Sequence, residues 1–158
     1  MAVYVSNITI AEFSGSIFDS TTASRESTSD SFSYGDLVSN DAKNGEVDVV
    51  GEADKDQFLG VSLKTIDGSI DTVSKVNIAT KCVIRCLLAA AQDTIYFGEA
   101  AAWSTGANGT TWSFANTTTE AIVHCRDESI VAAAYGLFLV NPYTIRAVTG
   151  LGFFEIVT

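Results

Sequence analysis

The residues best suited to catalysis are one adjacent pair, His124 and Cys125. An imidazole beside a thiol could form a nucleophile and its general base. His124 is the only histidine of the 158-residue chain, so all histidine acid–base chemistry would depend on it. The run Glu120 to Cys125 (EAIVHC) is typical of a strand, on which adjacent side chains point to opposite faces. We therefore expect a strand histidine without a catalytic dyad, and we do not predict an enzyme.

The three cysteines, Cys82, Cys86 and Cys125, could bind a metal together with His124. At about 3.3 Å per residue of strand, Cys82 and Cys86 would lie about 13 Å apart, too far for a disulfide. The paired C-x₂-C spacing that is typical of zinc sites is missing. We expect buried thiols that act as small hydrophobes, with no metal and no cofactor, in a chain that matures in a reducing cytoplasm.

Two further patterns resemble ligand sites but depart from them. The segment Asn40 to Gly51 resembles a calcium loop, yet Ala42 and Gly51 stand where ligands are required. The G-x-G at Gly150 to Gly152 lies too close to the C-terminus for the helix that a dinucleotide site needs. Neither pattern predicts a site.

Charge and hydropathy exclude several partners. Nine Lys and Arg against nineteen Asp and Glu give a net charge of −10, which is unfavourable for binding nucleic acid or an anionic membrane. The uncharged, largely apolar stretch Ile130 to Ile145 is too short and too interrupted to span a bilayer. Since only 18% of residues are charged and 47% are hydrophobic, we expect other chains to cover part of the surface.

From Tyr34 onward, short runs rich in Val, Ile, Thr and aromatic residues alternate with turns rich in Gly, Asn and Asp. This pattern predicts an all-β fold, a small β-barrel or β-sandwich domain over residues 34–158. The predicted strands include Gln57 to Thr65, Lys75 to Leu88, Glu120 to Cys125, Ile130 to Val140 and Tyr143 to Val148.

Residues 1–33 are predicted to form an extended N-terminal arm. From Ser20 to Ser33, nine of fourteen residues are Ser or Thr, too polar to offset their ordering entropy alone. Two alternatives remain open: a frayed tail with a first strand, or an arm that becomes ordered on a neighbouring subunit. In the second case, the predicted contact residues are apolar: Val3, Tyr4, Val5, Ile8, Ile10, Phe13, Ile17 and Phe18.

The dipeptide Asn108-Gly109 favours a two-residue type I′ hairpin turn. Such a turn would pair Trp103 with Phe114 and Thr105 with Trp112. The aromatic cluster Trp103, Trp112 and Phe114 would then lie on one face. It could be a core layer, a subunit contact or a platform for stacking sugars.

The segment Gly35 to Leu63 (GDLVSNDAKNGEVDVVGEADKDQFLGVSL) resembles the head decoration, or cement, proteins of tailed bacteriophages. In that family a G-D-x-V strand, an acidic loop and a hydrophobic-G-V strand, here Phe58 to Val61, occur in this order. A strand with a basic residue follows (Lys81 to Leu88), then a turn with Gly98 before Trp103, and a strand near Glu120 to Arg126. The resemblance covers about Tyr34 to Arg146.

The resemblance implies a β-barrel-like domain that trimerises on the outer surface of the virion capsid. It implies two partners, the major capsid protein and further copies of the chain, and a role in bridging capsomers against internal pressure. The strongly acidic charge agrees with a position away from the genome. The alternative function is a carbohydrate-binding or host-attachment module that uses Trp103 and Trp112.

Overall fold

The computed structural model describes residues 8–12, 14–40, 45–50, 58–105, 113–116 and 123–141. Within these ranges no helix occurs, and therefore none that could cross a membrane. The predicted all-β fold class is confirmed. The strands are β1 (Thr9–Ile10), β2 (Ile17–Arg25), β3 (Leu37–Ser39), β4 (Glu46–Val49), β5 (Phe58–Ser62), β6 (Lys75–Leu88), β7 (Ile95–Tyr96), β8 (Ala100–Thr105), β9 (Ser113–Asn116), β10 (Val123–Cys125), β11 (Ser129–Ile130) and β12 (Tyr135–Val140).

The longest strand, β6, has the bounds predicted from its sequence. Every second side chain from Val76 to Leu88 is buried, whereas Lys75, Lys81 and Arg85 on the alternate positions are exposed. Burial with a period of two is what a strand produces when one of its faces covers a core.

Strand β6 is shared by two closed circuits of strand pairing. Its first half pairs with β2 and β5, and β4 and β3 complete the circuit β6–β2–β4–β3–β5. Its second half pairs with β12 and β9, and β10 and β8 complete the circuit β6–β12–β10–β8–β9. Closed circuits are typical of barrel-like folds, because closure removes unpaired sheet edges.

The buried apolar side chains form two hydrophobic clusters. Burying one large aliphatic or aromatic side chain contributes about 1.5–3 kcal/mol. The smaller cluster consists of Phe32, Val38, Val47, Ile66, Val76 and Ile78. The larger one includes Ile84, Cys86 and Leu88 of β6, together with Trp103, Phe114 and Phe138 from the strands of the second circuit.

The structure describes residues 8–12 and 14–33 of the segment predicted as an N-terminal arm over residues 1–33. Residues 17–24 pair antiparallel with β6, from Ile17 opposite Cys82 to Ser24 opposite Lys75, and β1 pairs with β6 at Ile84 and Arg85. The side chains of residues 17–22 are exposed, so backbone hydrogen bonds to β6, rather than side-chain burial, hold this polar strand. The described part of the N-terminal segment therefore belongs to the β domain.

The predicted strand Ile130 to Val140 is divided in two. A turn separates β11 from β12, and within it Ala133 adopts a φ of 58°, which is uncommon for a residue other than glycine. Strand β11 leaves the main sheet and pairs with β7, Ile130 opposite Ile95. Both isoleucines are buried in the larger cluster. The predicted strand Tyr143 to Val148 lies outside the described residues.

The buried side chain of Arg25 joins two loops at one end of the first circuit. Its guanidinium donates hydrogen bonds to the carbonyl oxygens of Thr28 (2.9 Å), Asp30 (2.8 Å) and Asp71 (3.2 Å). Gly68 lies against the backbone of Ser29 in the same place, where a Cβ would overlap the Ser29 carbonyl group. Residues 27–30 and 67–71 are therefore packed together through their backbones.

Candidate interaction surfaces

The two residues considered for catalysis, His124 and Cys125, lie on opposite faces of strand β10. Its burial alternates, with Val123 and Cys125 buried and His124 partly buried between them. Burial lowers the pKa of His124 and raises the pKa of Cys125, whose Sγ donates to the Asp127 carbonyl oxygen at 3.4 Å. The neutral forms of both groups are thus favoured, the opposite of an activated thiolate and imidazolium pair.

Cys82 and Cys86 lie on the buried face of β6, within the larger hydrophobic cluster. Burial raises the pKa of each thiol to about 12. Over the described ranges, no group of three or more His, Cys, Asp or Glu side chains is arranged to hold a metal ion. In the segment compared with a calcium loop, residues 46–49 form β4, while residues 41–44 and 51 lie outside the description.

Trp103 and Phe114 form the cross-strand pair predicted from the hairpin register. Both are buried: the Trp103 ring packs on Phe58 with centroids 5.5 Å apart, and Phe114 packs edge-on against Phe138 at 4.9 Å. These two side chains form a core layer, which leaves neither ring exposed for stacking on a sugar. Trp112 lies outside the described residues.

The predicted contact residues of the arm differ in their exposure to solvent. Ile8 and Ile10 are buried in the larger cluster, so their side chains pack within the domain, and a partner contact at these two residues stays a prediction. Ile17 and Phe18 are 42% and 54% exposed. The remaining four lie outside the described residues: Val3, Tyr4, Val5 and Phe13.

An exposed basic and aromatic surface, here called the β6 outer face, consists of Phe18, Lys81, Arg85 and Tyr135. The Lys81 ammonium lies 5.7 Å from the centre of the Phe18 ring, and the Arg85 guanidinium lies 4.4 Å from that of Tyr135. A cation over an aromatic face is attracted by the negative potential of the ring. Each pair therefore holds a positive charge beside exposed apolar area.

Sequence reasoning missed the β6 outer face, although a signal for it exists. Lys75, Lys81 and Arg85 stand at odd positions of a strand whose even positions are apolar except for Thr80. The aromatic partners come from distant segments, because the bulge at Phe18 in β2 and the start of β12 at Tyr135 bring them beside β6. Only the tertiary structure forms the two pairs, Lys81 with Phe18 and Arg85 with Tyr135.

A second exposed surface, here called the β7–β11 tip, consists of Tyr96, Phe97, Glu99, Glu128 and Val131. Its three apolar side chains are 58%, 66% and 57% exposed in that order. The turn is held by a hydrogen bond from the Tyr96 amide to the Glu99 carboxylate (2.7 Å) and by one from the Phe97 amide to the Glu128 carbonyl oxygen (3.2 Å). The tip is thus aromatic with acidic neighbours.

The chain matches no protein-family model, and a search of curated proteins gives no match. Function must therefore be inferred from the residues and surfaces described above.

Proposed function

We propose that the protein is a structural component of a virion: a trimeric decoration protein that binds the outer capsid surface and bridges neighbouring capsomers. The proposal originates in the resemblance of Gly35 to Leu63 to phage decoration proteins. The observation that carries it is that the two glycine-centred motifs of this segment, which are far apart in sequence, are paired with each other in the fold.

The pairing joins the start of β3 to the end of β5. The amide of Gly35 donates to the Ser62 carbonyl oxygen (2.8 Å), and the amide of Ser62 donates to the Asp36 carbonyl oxygen (2.8 Å). Gly35 has a φ of 93°, a conformation that favours glycine. The buried Asp36 carboxylate accepts a hydrogen bond from the Ser33 amide at 2.7 Å. The motif residues therefore have structural roles that agree with a shared fold signature.

The surface composition also supports a protein that works by binding other chains. Interfaces between proteins are enriched in Tyr, Phe and Arg. The β6 outer face and the β7–β11 tip both expose aromatic rings on a small domain. A capsid-bound trimer needs at least two kinds of contact, one between its own subunits and one with the capsid.

The proposed capsid contact lies at the extreme N-terminus. Val3, Tyr4 and Val5 precede Ile8, the buried residue at which the described part of the chain begins, and a segment that becomes ordered on a partner adds contact area while the folded part stays small. Deletion of residues 1–33 would remove β1 and β2 and damage the domain. Deletion of residues 1–7 is therefore the appropriate variant.

The experiment is co-sedimentation of purified protein with phage heads assembled without it. We expect the full chain to bind heads at a saturating, fixed ratio. The chain lacking residues 1–7 should keep the β circular dichroism spectrum of the full chain and bind more weakly. Absence of binding by the full chain would contradict the proposed function, and equal binding by both chains would contradict the N-terminal contact.

A further inference from the structure

We propose that the β6 outer face of one copy binds the β7–β11 tip of a second copy, so that subunits associate head to tail. This deepens the proposed function, on which its biological setting rests, by naming the two surfaces that would join the subunits. It concerns a contact between copies of this chain and not the contact with the capsid.

Positive charge in this acidic chain is concentrated on one face of β6. The structure describes six basic residues, and three of them, Lys75, Lys81 and Arg85, lie on the outward face of β6. Within the described part of the chain, Lys81 and Arg85 contact aromatic rings and form no ion pair. Asp19 of β2 is the strand-register partner of Lys81, whereas the register partners of Arg85 are Thr9 and Leu137. The charge of Arg85 in particular is therefore available to an acidic partner.

The same fold carries an acidic and aromatic surface at the β7–β11 tip. At the tip, Glu99 and Glu128 are exposed beside Tyr96 and Phe97, and Arg126 is the one basic neighbour in this part of the chain. The tip therefore offers carboxylates to Lys81 and Arg85, and aromatic area to Phe18 and Tyr135. Complementary charge at an interface favours the correct partner and rejects wrong ones.

The charges of the two surfaces favour a head-to-tail contact over a two-fold one. A two-fold contact of the β6 outer face with itself would place two basic surfaces against each other, and a tip-to-tip contact would do the same with two acidic surfaces. Like charges placed opposite each other are unfavourable. A head-to-tail contact avoids both repulsions, and it closes into a ring when the rotation between copies allows. A ring of three agrees with the proposed trimer.

The experiment is a charge-reversal cycle read out as molar mass by light scattering over a dilution series. The variants are Arg85→Glu on the face, Glu128→Lys on the tip, and the double variant. Lys64→Glu is the matched control for Arg85→Glu, because Lys64 is exposed outside both surfaces and the change in net charge is the same. Circular dichroism and thermal unfolding confirm that each variant is folded.

We expect the wild-type chain and Lys64→Glu to form trimers. Each single reversal at the interface should raise the concentration at which trimers dissociate by about tenfold or more, and the double variant should recover most of this loss, because opposite charges again face each other. A monomeric wild-type chain, single reversals that leave the mass unchanged, or a double variant that is not rescued would each overturn the inference. Head binding by a monomeric chain would retain the decoration role while excluding this contact.

Discussion

Gly60 in β5 lies against the carbonyl group of Ala79 in β6, so closely that a Cβ atom at position 60 would overlap the carbonyl oxygen. The neighbouring residue Val61 is the register partner of Ala79, and this short pairing closes the first circuit. The glycine of the hydrophobic-G-V motif is thus required by the approach of two backbones.

The substitution Gly60→Ala should therefore destabilise the domain strongly. The added methyl group meets backbone, which cannot move aside as a flexible side chain can, and we expect a loss of about 3 kcal/mol or more. The measurement is the free energy of unfolding in urea.

Gly45→Ala is the comparison variant. Gly45 has a φ of 86° with open space around its Cα, so the cost there is only conformational, about 1 kcal/mol. Equal losses for the two variants would contradict a steric role of Gly60.

A second prediction concerns Arg25, which donates to three carbonyl groups of two loops. The shorter reach and single nitrogen of lysine cannot reproduce this fork of donors. Arg25→Lys should lower the free energy of unfolding by about 2 kcal/mol, because carbonyl groups lose charged donors. Hydrogen exchange of residues 27–30 and 67–71 should rise with it.

The exposed Arg126 provides the control for that variant. Arg126→Lys should change stability by less than about 0.5 kcal/mol, as is usual for surface positions. If Arg25→Lys changed the free energy of unfolding as little as Arg126→Lys, the guanidinium would not be what joins the two loops.

The β character of the chain and the course of β6 could be predicted from sequence, because both depend on local patterns. The mostly apolar residues at every second position from Val76 to Leu88, with Lys75, Lys81 and Arg85 between them, are enough to define one strand. The dipeptide Asn108-Gly109 likewise predicted Trp103 opposite Phe114, which is observed. Beyond that pair the register shifts, and Thr105 lies opposite Ser113 rather than Trp112.

The features that the sequence did not predict depend on pairing between strands that are far apart in the chain. The side chains of β2 are mostly exposed, so its sequence has no hydrophobic period. Its partner strand, β6, is more than fifty positions away in the sequence, as the hydrogen bond between Thr22 and Asn77 shows. No local sequence pattern indicates that β6 is shared by two circuits. The β6 outer face was missed for the same reason, because Tyr135 reaches Arg85 only after β12 has paired.

A third prediction uses the raised pKa of the buried thiols. The pKa of Cys82 and of Cys86 is about 12 in the folded chain, against 9.0 as the ordinary value. As pH rises through 9, the unfolded chain loses these protons first, so ionisation favours unfolding. Stability should fall between pH 9 and 12, by up to about 1.4 kcal/mol per pH unit for each thiol.

The measurement is urea unfolding from pH 8 to 10.5 for the wild-type chain, Cys82→Ala and Cys86→Ala. Each variant should be less stable at pH 8, because the missing sulfur leaves a cavity, and each should show a shallower decline with pH. Slopes identical to that of the wild-type chain would mean that the thiols ionise equally in the folded and unfolded states.

The central claim, a decoration protein that stabilises a capsid, is tested most directly by heating DNA-filled heads with and without the protein and following DNA release by dye fluorescence. We expect heads without the protein to release DNA at a lower temperature, and addition of purified wild-type protein to restore the higher one. Release at the same temperature from both kinds of head would contradict the claim.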